Sequence, residues 1–183
     1  METRILDVAQ NLIETRGYNA FSYRDIAEEV GIKTASIHYY FPHKVDLVLT
    51  LVRRYGERLD GMLSEINTGT SGGRNKLSAF LKLVDETLCA GNRMCLCGML
   101  ASEVSTLEPG IKAELLIVFE KVEKWVIAFL EEGISAGEFR KGHDTASLAS
   151  MLLGCFEGIL LFSRLSPEKL LYNKHTQQLI SLL

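Results

Sequence analysis

The stretch GIKTASIHYYFPHK, residues 31–44, holds four side chains that are or can become cationic, Lys33, His38, His43 and Lys44, and no acid. Its surroundings are acid-rich: residues 1–50 contain five Lys and Arg against seven Asp and Glu. A surface that meets phosphate needs such clearing, because a carboxylate there repels the polyanion. The small residues Thr34, Ala35 and Ser36 would let a backbone approach base edges. Hydroxyls can bond bases or phosphates, and the Ala35 methyl can pack on the methyl of thymine. His38 and Tyr39 would project further into the groove or onto its wall. Upstream, Ser22 followed by Asp25 reads as a capping box, and a capped helix start is an anion site. Ser22, Tyr23 and Arg24 could hold one phosphate there, and His43 with Lys44 another. Contacts of this kind set register without reading sequence.

These residues need short helices to hold them. Ile5, Val8, Ala9, Leu12 and Ile13 have the spacing of one helical face, with Gly17 a plausible stop. Ile26, Ala27 and Val30 form the stripe of a second helix over 23–30, ended by Gly31. A third helix fits 34–40, and Ile26, Val30, Ile37 and Phe41 are expected to form a small shared core. Two short helices joined by a glycine turn meet the geometric needs of a helix-turn-helix, with 23–30 supporting and 34–40 entering the major groove. A fourth helix is expected from His43 to about Ile66, roughly 35 Å long at 1.5 Å per residue. NTGTSGGRN, residues 67–75, reads as the clearest loop. Further helices are expected near 76–90, 95–106, 110–137, 143–164 and 167–182. No alternating strand pattern of useful length occurs. The expected fold is all-α, about nine helices, with a helix-turn-helix domain over 1–46 and a helical-bundle domain for ligand binding and dimerisation over 47–183.

Composition fits a globular protein: 183 residues, 47% apolar, 23% charged, formal charge −3. The pI of about 5.8 is low for a nonspecific nucleic-acid binder, yet only the contacting face has to be positive. Glu2, Arg4 and Asp7 interrupt the start of the chain, which does not read as a signal peptide. The apolar segment near 148–162 is broken by Ser150, Gly154, Glu157 and Gly158 and is expected to fall short of a membrane span. A cytoplasmic location is therefore expected, with Cys89, Cys95, Cys97 and Cys155 as thiols.

FSYRDIAEEVGIKTASIHYYFPHKVDLV resembles the DNA-binding head of the TetR family of transcriptional regulators, over about residues 4–50. The resemblance implies phosphate-backbone contacts from Ser22, Tyr23, Arg24, Tyr40 and Lys44, and groove contacts from Lys33, Thr34, Ala35, Ser36 and Tyr39. His38 departs from the tyrosine that the family usually places there. The resemblance further implies a homodimer on a double-stranded DNA operator, with recognition helices about 34–36 Å apart, and a small-molecule effector bound in the body. Segment 146–162, apolar nearly all round and carrying Gly154 and Gly158, is the expected dimer interface.

Candidates for the wall of an effector pocket are Phe80, Met94, Met99, Leu100, Phe119, Trp125, Phe129, Met151 and Phe156. Glu103 lies on the apolar face of Leu96, Met99 and Leu100, where a carboxylate needs a partner or a ligand. Glu157 interrupts a second apolar stripe in the same way. Cys89, Cys95 and Cys97 lack nearby histidines, so a metal site is not expected; a redox or electrophile-reactive thiol is the alternative, with Arg93 and a helix start near 95 to activate Cys95. His38, His43, His143 and His175 stand beside no plausible nucleophile and acid, so no enzyme and no cofactor is expected. The expected function is a ligand-responsive regulator, most simply a repressor. The rivals are an apolar-ligand carrier or enzyme without DNA binding, and a thiol-sensing version of the regulator.

Overall fold

The computed structural model describes residues 1–89, 93–165 and 178. Among these the chain is all-α. Its helices are α1 (Glu2–Arg16), α2 (Tyr23–Val30), α3 (Thr34–Tyr40), α4 (Lys44–Gly69), α5 (Gly73–Cys89), α6 (Leu96–Ser102), α7 (Pro109–Ser135) and α8 (Thr145–Ser163), with a 3-10 turn at Val104–Thr106. The ninth helix expected over 167–182 falls, residue 178 apart, outside the described residues.

α2 and α3 occupy the spans that periodicity and capping predict. Gly31 has φ 76°, ψ 38°, and its N–H bonds Ala27 O, so the turn between the two helices is a left-handed C-cap that favours glycine. Boundaries differ from expectation at two places. α4 runs on to Gly69 and α5 begins at Gly73, leaving only 70–72 of the expected loop, and the Thr68 hydroxyl is turned back onto its own helix, donating to Ser64 O at 3.2 Å and Glu65 O at 3.1 Å. α6 ends at Ser102, where Glu103 leaves helical geometry (φ −106°, ψ 20°) and a 3-10 turn follows.

Packing divides the chain into two compact units, Met1–Glu57 with Arg93–Val118, and Arg58–Asn92 with Phe119–Leu183. In the first, Ile5, Ala9, Leu12 and Ile13 of α1 are buried, as are Ile26, Val30, Ile37 and Phe41. α4 contributes Leu47, Val48, Leu51 and Val52, and α6 contributes Leu96 and Leu100. The head therefore shares a unit with α6 and the start of α7. In the second unit, Leu77, Phe80 and Leu81 of α5, Val122, Val126, Phe129 and Leu130 of α7, and Ala149, Leu152 and Phe156 of α8 form one core. Asp144 caps α8, accepting the N–H of Ser147 at 3.0 Å.

Contrary to expectation, α8 is long and apolar enough by length and composition to cross a membrane, with mean hydropathy 1.7. Only its Ala149, Leu152, Phe156 and Leu160 side is buried.

The loop after α1 begins at Gly17, φ 99°. The positive φ disfavours any side chain, and a Cβ there would lie 3.0 Å from Glu103 Oε2, so the carboxylate would also have to shift. Gly17→Ala should destabilise the protein by about 1–3 kcal/mol in urea denaturation.

Candidate nucleic-acid interface

The outer side of the helix-turn-helix is built from α3 and the residues flanking it. Lys33, Ala35, Ser36, His38, Tyr39 and Tyr40 are exposed, Thr34 is half-buried, and Ile37 turns inward. Tyr39 is 83% exposed and Tyr40 38%, their rings meeting edge-on at 5.3 Å. An 83% exposed tyrosine on the outer side of α3 is well suited to stack on sugar or base edges. His38 is more constrained. Its Nδ1 lies 3.1 Å from Pro42 O, and its ring packs on Tyr23 at 4.8 Å. A carbonyl partner makes Nδ1 the donor, which leaves Nε2 as the outward acceptor in the neutral ring.

Among the residues expected to bind phosphate, Arg24 is exposed with its side chain on the first turn of α2. Ser22 donates its N–H (2.8 Å) and its hydroxyl (2.6 Å) to Asp25, and these bonds hold the Asp25 carboxyl below its usual range. Tyr23 is buried, and its hydroxyl donates to Phe41 O at 2.9 Å, tying the start of α2 to the end of α3. Burial, and secondly the charge of Asp46, push its phenol up to about 12.

Lys44 is also drawn inward. Its Nζ donates to Tyr18 O at 2.6 Å and Phe21 O at 2.7 Å and sits over both rings, 4.4 and 4.0 Å from their centroids. Two of its three N–H bonds are thus committed to the loop between α1 and α2, and burial lowers its pKa against the pull of Glu103 and Glu108.

The opposite side of that loop is held by acids from far along the chain. Glu103 accepts the N–H of Tyr18, the N–H of Asn19 at 3.5 Å and the Asn19 amide at 3.2 Å. Glu108 accepts the Tyr18 hydroxyl at 2.9 Å. The carboxylate expected to face an effector is therefore turned toward the DNA-binding head. Tyr18, Asn19 and Glu108 escaped the sequence reading because their partners lie 84 to 90 residues away, with no local pattern to mark them.

Of the other pocket candidates, Phe80, Trp125 and Phe156 come together in the second unit, Phe80 lying 5.5 Å from the Trp125 ring and 5.9 Å from Phe156. Phe129 joins them at 5.0 Å from Trp125. Phe119 belongs to the same unit and is half-buried. Met94, Met99 and Leu100 belong to the first unit, with Met94 and Leu100 in its core. Met151 lies on the outward side of α8 and is 65% exposed, so it lines no interior wall.

The thiols separate. Cys95 precedes α6, half-buried, its Sγ 3.7 Å from the Tyr55 hydroxyl. The charge of Cys95 and then burial raise the Tyr55 phenol well above its ordinary value. Arg93, expected to activate Cys95, pairs with the buried Glu14 at 3.6 Å. Cys97 is buried and Cys155 exposed, while the Cys89 side chain lies outside the described residues.

An exposed, acid-free α3 set on a supporting helix by a glycine turn defines a helix-turn-helix DNA-binding protein. Family models place the chain more narrowly. "Bacterial regulatory proteins, tetR family" matches residues 5–51, and "Tetracyclin repressor-like, C-terminal domain" matches residues 74–179. The chain belongs to the TetR family of transcriptional regulators. A TetR-family regulator of Agrobacterium tumefaciens has a similar structure, with TM-score 0.95 and 30% identity, covering 100% of this chain and 96% of that one. The transcriptional regulator AcuR of Cereibacter sphaeroides is 25% identical over 153 residues, 82% of this chain and 70% of that protein. The transcriptional repressor KstR2 of Rhodococcus jostii is 29% identical over 144 residues, 78% and 69% of the respective chains.

Two consequences follow from the hydrogen bonds around the head. Glu103→Ala leaves the N–H groups of Tyr18 and Asn19 unpaired and should lower stability by about 1–3 kcal/mol in chemical denaturation. The raised phenol of Tyr23 favours the neutral form in the folded state. Its contribution is therefore complete below the ordinary value of 10.0 and is lost as pH rises through about 12. Denaturation midpoints measured from pH 9 to 12 should fall, and Tyr23→Phe should make that decline shallower.

Proposed function

We propose that the chain is a ligand-responsive repressor that binds a double-stranded DNA operator as a homodimer and leaves it when a small molecule occupies the body. The observation that carries the DNA reading is the exposed row Lys33, Ala35, Ser36, His38, Tyr39 and Tyr40, acid-free on the outer side of the helix-turn-helix. Arg24 at the start of α2 supplies a phosphate contact that fixes register. The relative named a repressor supports the sign of regulation. Both relatives are named as regulators, which supports a role without catalysis.

The dimer reading rests on α8. Met151, Cys155, Leu161 and Phe162 are exposed, Phe162 at 71%, and a Cβ on Gly154 or Gly158 would meet nothing within 4 Å. An apolar helix side with two small positions suits close approach of a second α8 about a twofold axis. The same pairing accounts for a hydropathy that would otherwise suit a bilayer.

Release is a population shift. An effector that binds one arrangement of the body more tightly depletes the arrangement that binds operator. Glu103 and Glu108 give α6 and the start of α7 a direct hold on the loop that carries the head.

Fluorescence anisotropy on DNA from upstream of the gene tests the reading. Affinity should fall steeply with salt, and Arg24→Ala should reduce the slope of log affinity against log salt by about one per subunit. Tyr39→Ala should weaken binding by about 1–3 kcal/mol. Binding that is independent of salt and of both substitutions would remove the DNA role. Phe162→Glu should convert dimer to monomer in sedimentation; a wild-type chain that sediments as a monomer would remove α8 as the interface.

A further inference from the structure

Trp125 carries the feature that the regulator reading does not use. Its indole Nε1 is buried and has no hydrogen-bond partner among the described residues. A buried tryptophan N–H ordinarily finds an acceptor, and leaving it unpaired is unfavourable by an amount comparable to a lost hydrogen bond. The ring packs against Phe80 at 5.5 Å and Phe129 at 5.0 Å, and Phe80 packs in turn on Phe156 at 5.9 Å. Around these lie Leu77, Val126 and Leu152, all buried. The indole thus offers a single oriented donor in an aromatic and aliphatic setting.

That setting decides the charge of the missing acceptor. A carboxylate would lose its hydration and gain one N–H, an exchange that is strongly unfavourable in an apolar interior. A cationic ligand would meet the face of the rings favourably, yet it would leave the indole N–H unpaired. A neutral carbonyl oxygen satisfies the donor and brings no charge.

We propose that the effector is a neutral, predominantly apolar molecule whose carbonyl oxygen accepts the Trp125 Nε1–H between the Phe80, Phe129 and Phe156 rings. The class comprises esters, thioesters, ketones and lactones. The proposal deepens the effector part of the regulator reading and rests on it.

The chain contains one tryptophan, so its emission and its one indole N–H resonance report on this position alone. The full-length protein is titrated with ethyl octanoate, and in parallel with octanoate and octyltrimethylammonium, which carry an eight-carbon chain with negative and positive charge. Ethyl octanoate should change Trp125 emission and move the indole resonance downfield. Each ionic analogue should bind about tenfold more weakly or worse. In equilibrium dialysis, Trp125→Phe, which keeps a ring and removes the donor, should weaken ester binding roughly three- to tenfold. The proposal is overturned by an indole resonance that ethyl octanoate leaves in place, by an ionic analogue that binds as tightly as the ester, or by undiminished ester binding in a folded Trp125→Phe. Should that variant not fold, the wild-type resonance decides alone. Operator binding is measured on the same protein. If it persists while the ester fails, the carbonyl site falls and the regulator stands; if operator binding fails, the regulator reading falls first.

Discussion

The loop between α1 and α2 has polar groups that its own residues leave unpaired, and the side chains that satisfy them come from the start of α4, the residue after α6 and the residue before α7. Lys44 takes the carbonyls of Tyr18 and Phe21, Glu103 takes the N–H groups of Tyr18 and Asn19, and Glu108 takes the Tyr18 hydroxyl. A partly buried loop without such partners would be unfavourable by several hydrogen bonds. Because Ser22 and Tyr23 follow directly, the direction in which α2 sets out is determined here, and with it the presentation of α3. Gly17 belongs to the same arrangement, since its backbone is in a positive-φ conformation and the Glu103 carboxylate lies close against it.

The clamp also redistributes charge. Lys44 is a cation in the sequence, but its ammonium is turned into the fold, held by carbonyls, aromatic faces and the field of two glutamates. The positive charge that the α2 and α3 face offers to phosphate therefore comes from Arg24 and Lys33, both exposed. Asp25 moderates it, accepting both donors of Ser22 at the helix start. In the proposed reading, hydrogen bonding and shape at Thr34, Ser36, His38 and Tyr39 supply much of the discrimination between sites.

What was legible in the sequence was local. α2 and α3 followed from a cap, a glycine and an apolar stripe, and the inward positions Ile26, Val30, Ile37 and Phe41 followed from the same periodicity. The outward row of α3 was legible because its residue types are wrong for a core. Glu103 shows the limit. Helical spacing set its carboxylate on the apolar face of Leu96, Met99 and Leu100, but α6 ends at Ser102, and spacing says nothing about which side of the fold supplies a partner. The partners are backbone N–H groups 84 and 85 residues away, which carry no residue-type signal at all. Likewise, the end of α4 was hidden because Asn67, Thr68 and Gly69 read as loop formers until the Thr68 hydroxyl is seen bonding back to its own helix.

The packing of residues 93–118 with residues 1–57 bears on how portable the head is. Regulators of this shape invite recombination, one recognition head joined to another body to rewire a response. A cut near residue 46 would leave behind Glu103 and Glu108, and would ask the new body to present two carboxylates to a loop it has never met. Here the transplantable unit is discontinuous: a graft that keeps its operator preference has to carry α6 and the first turns of α7 along with the helices that touch DNA.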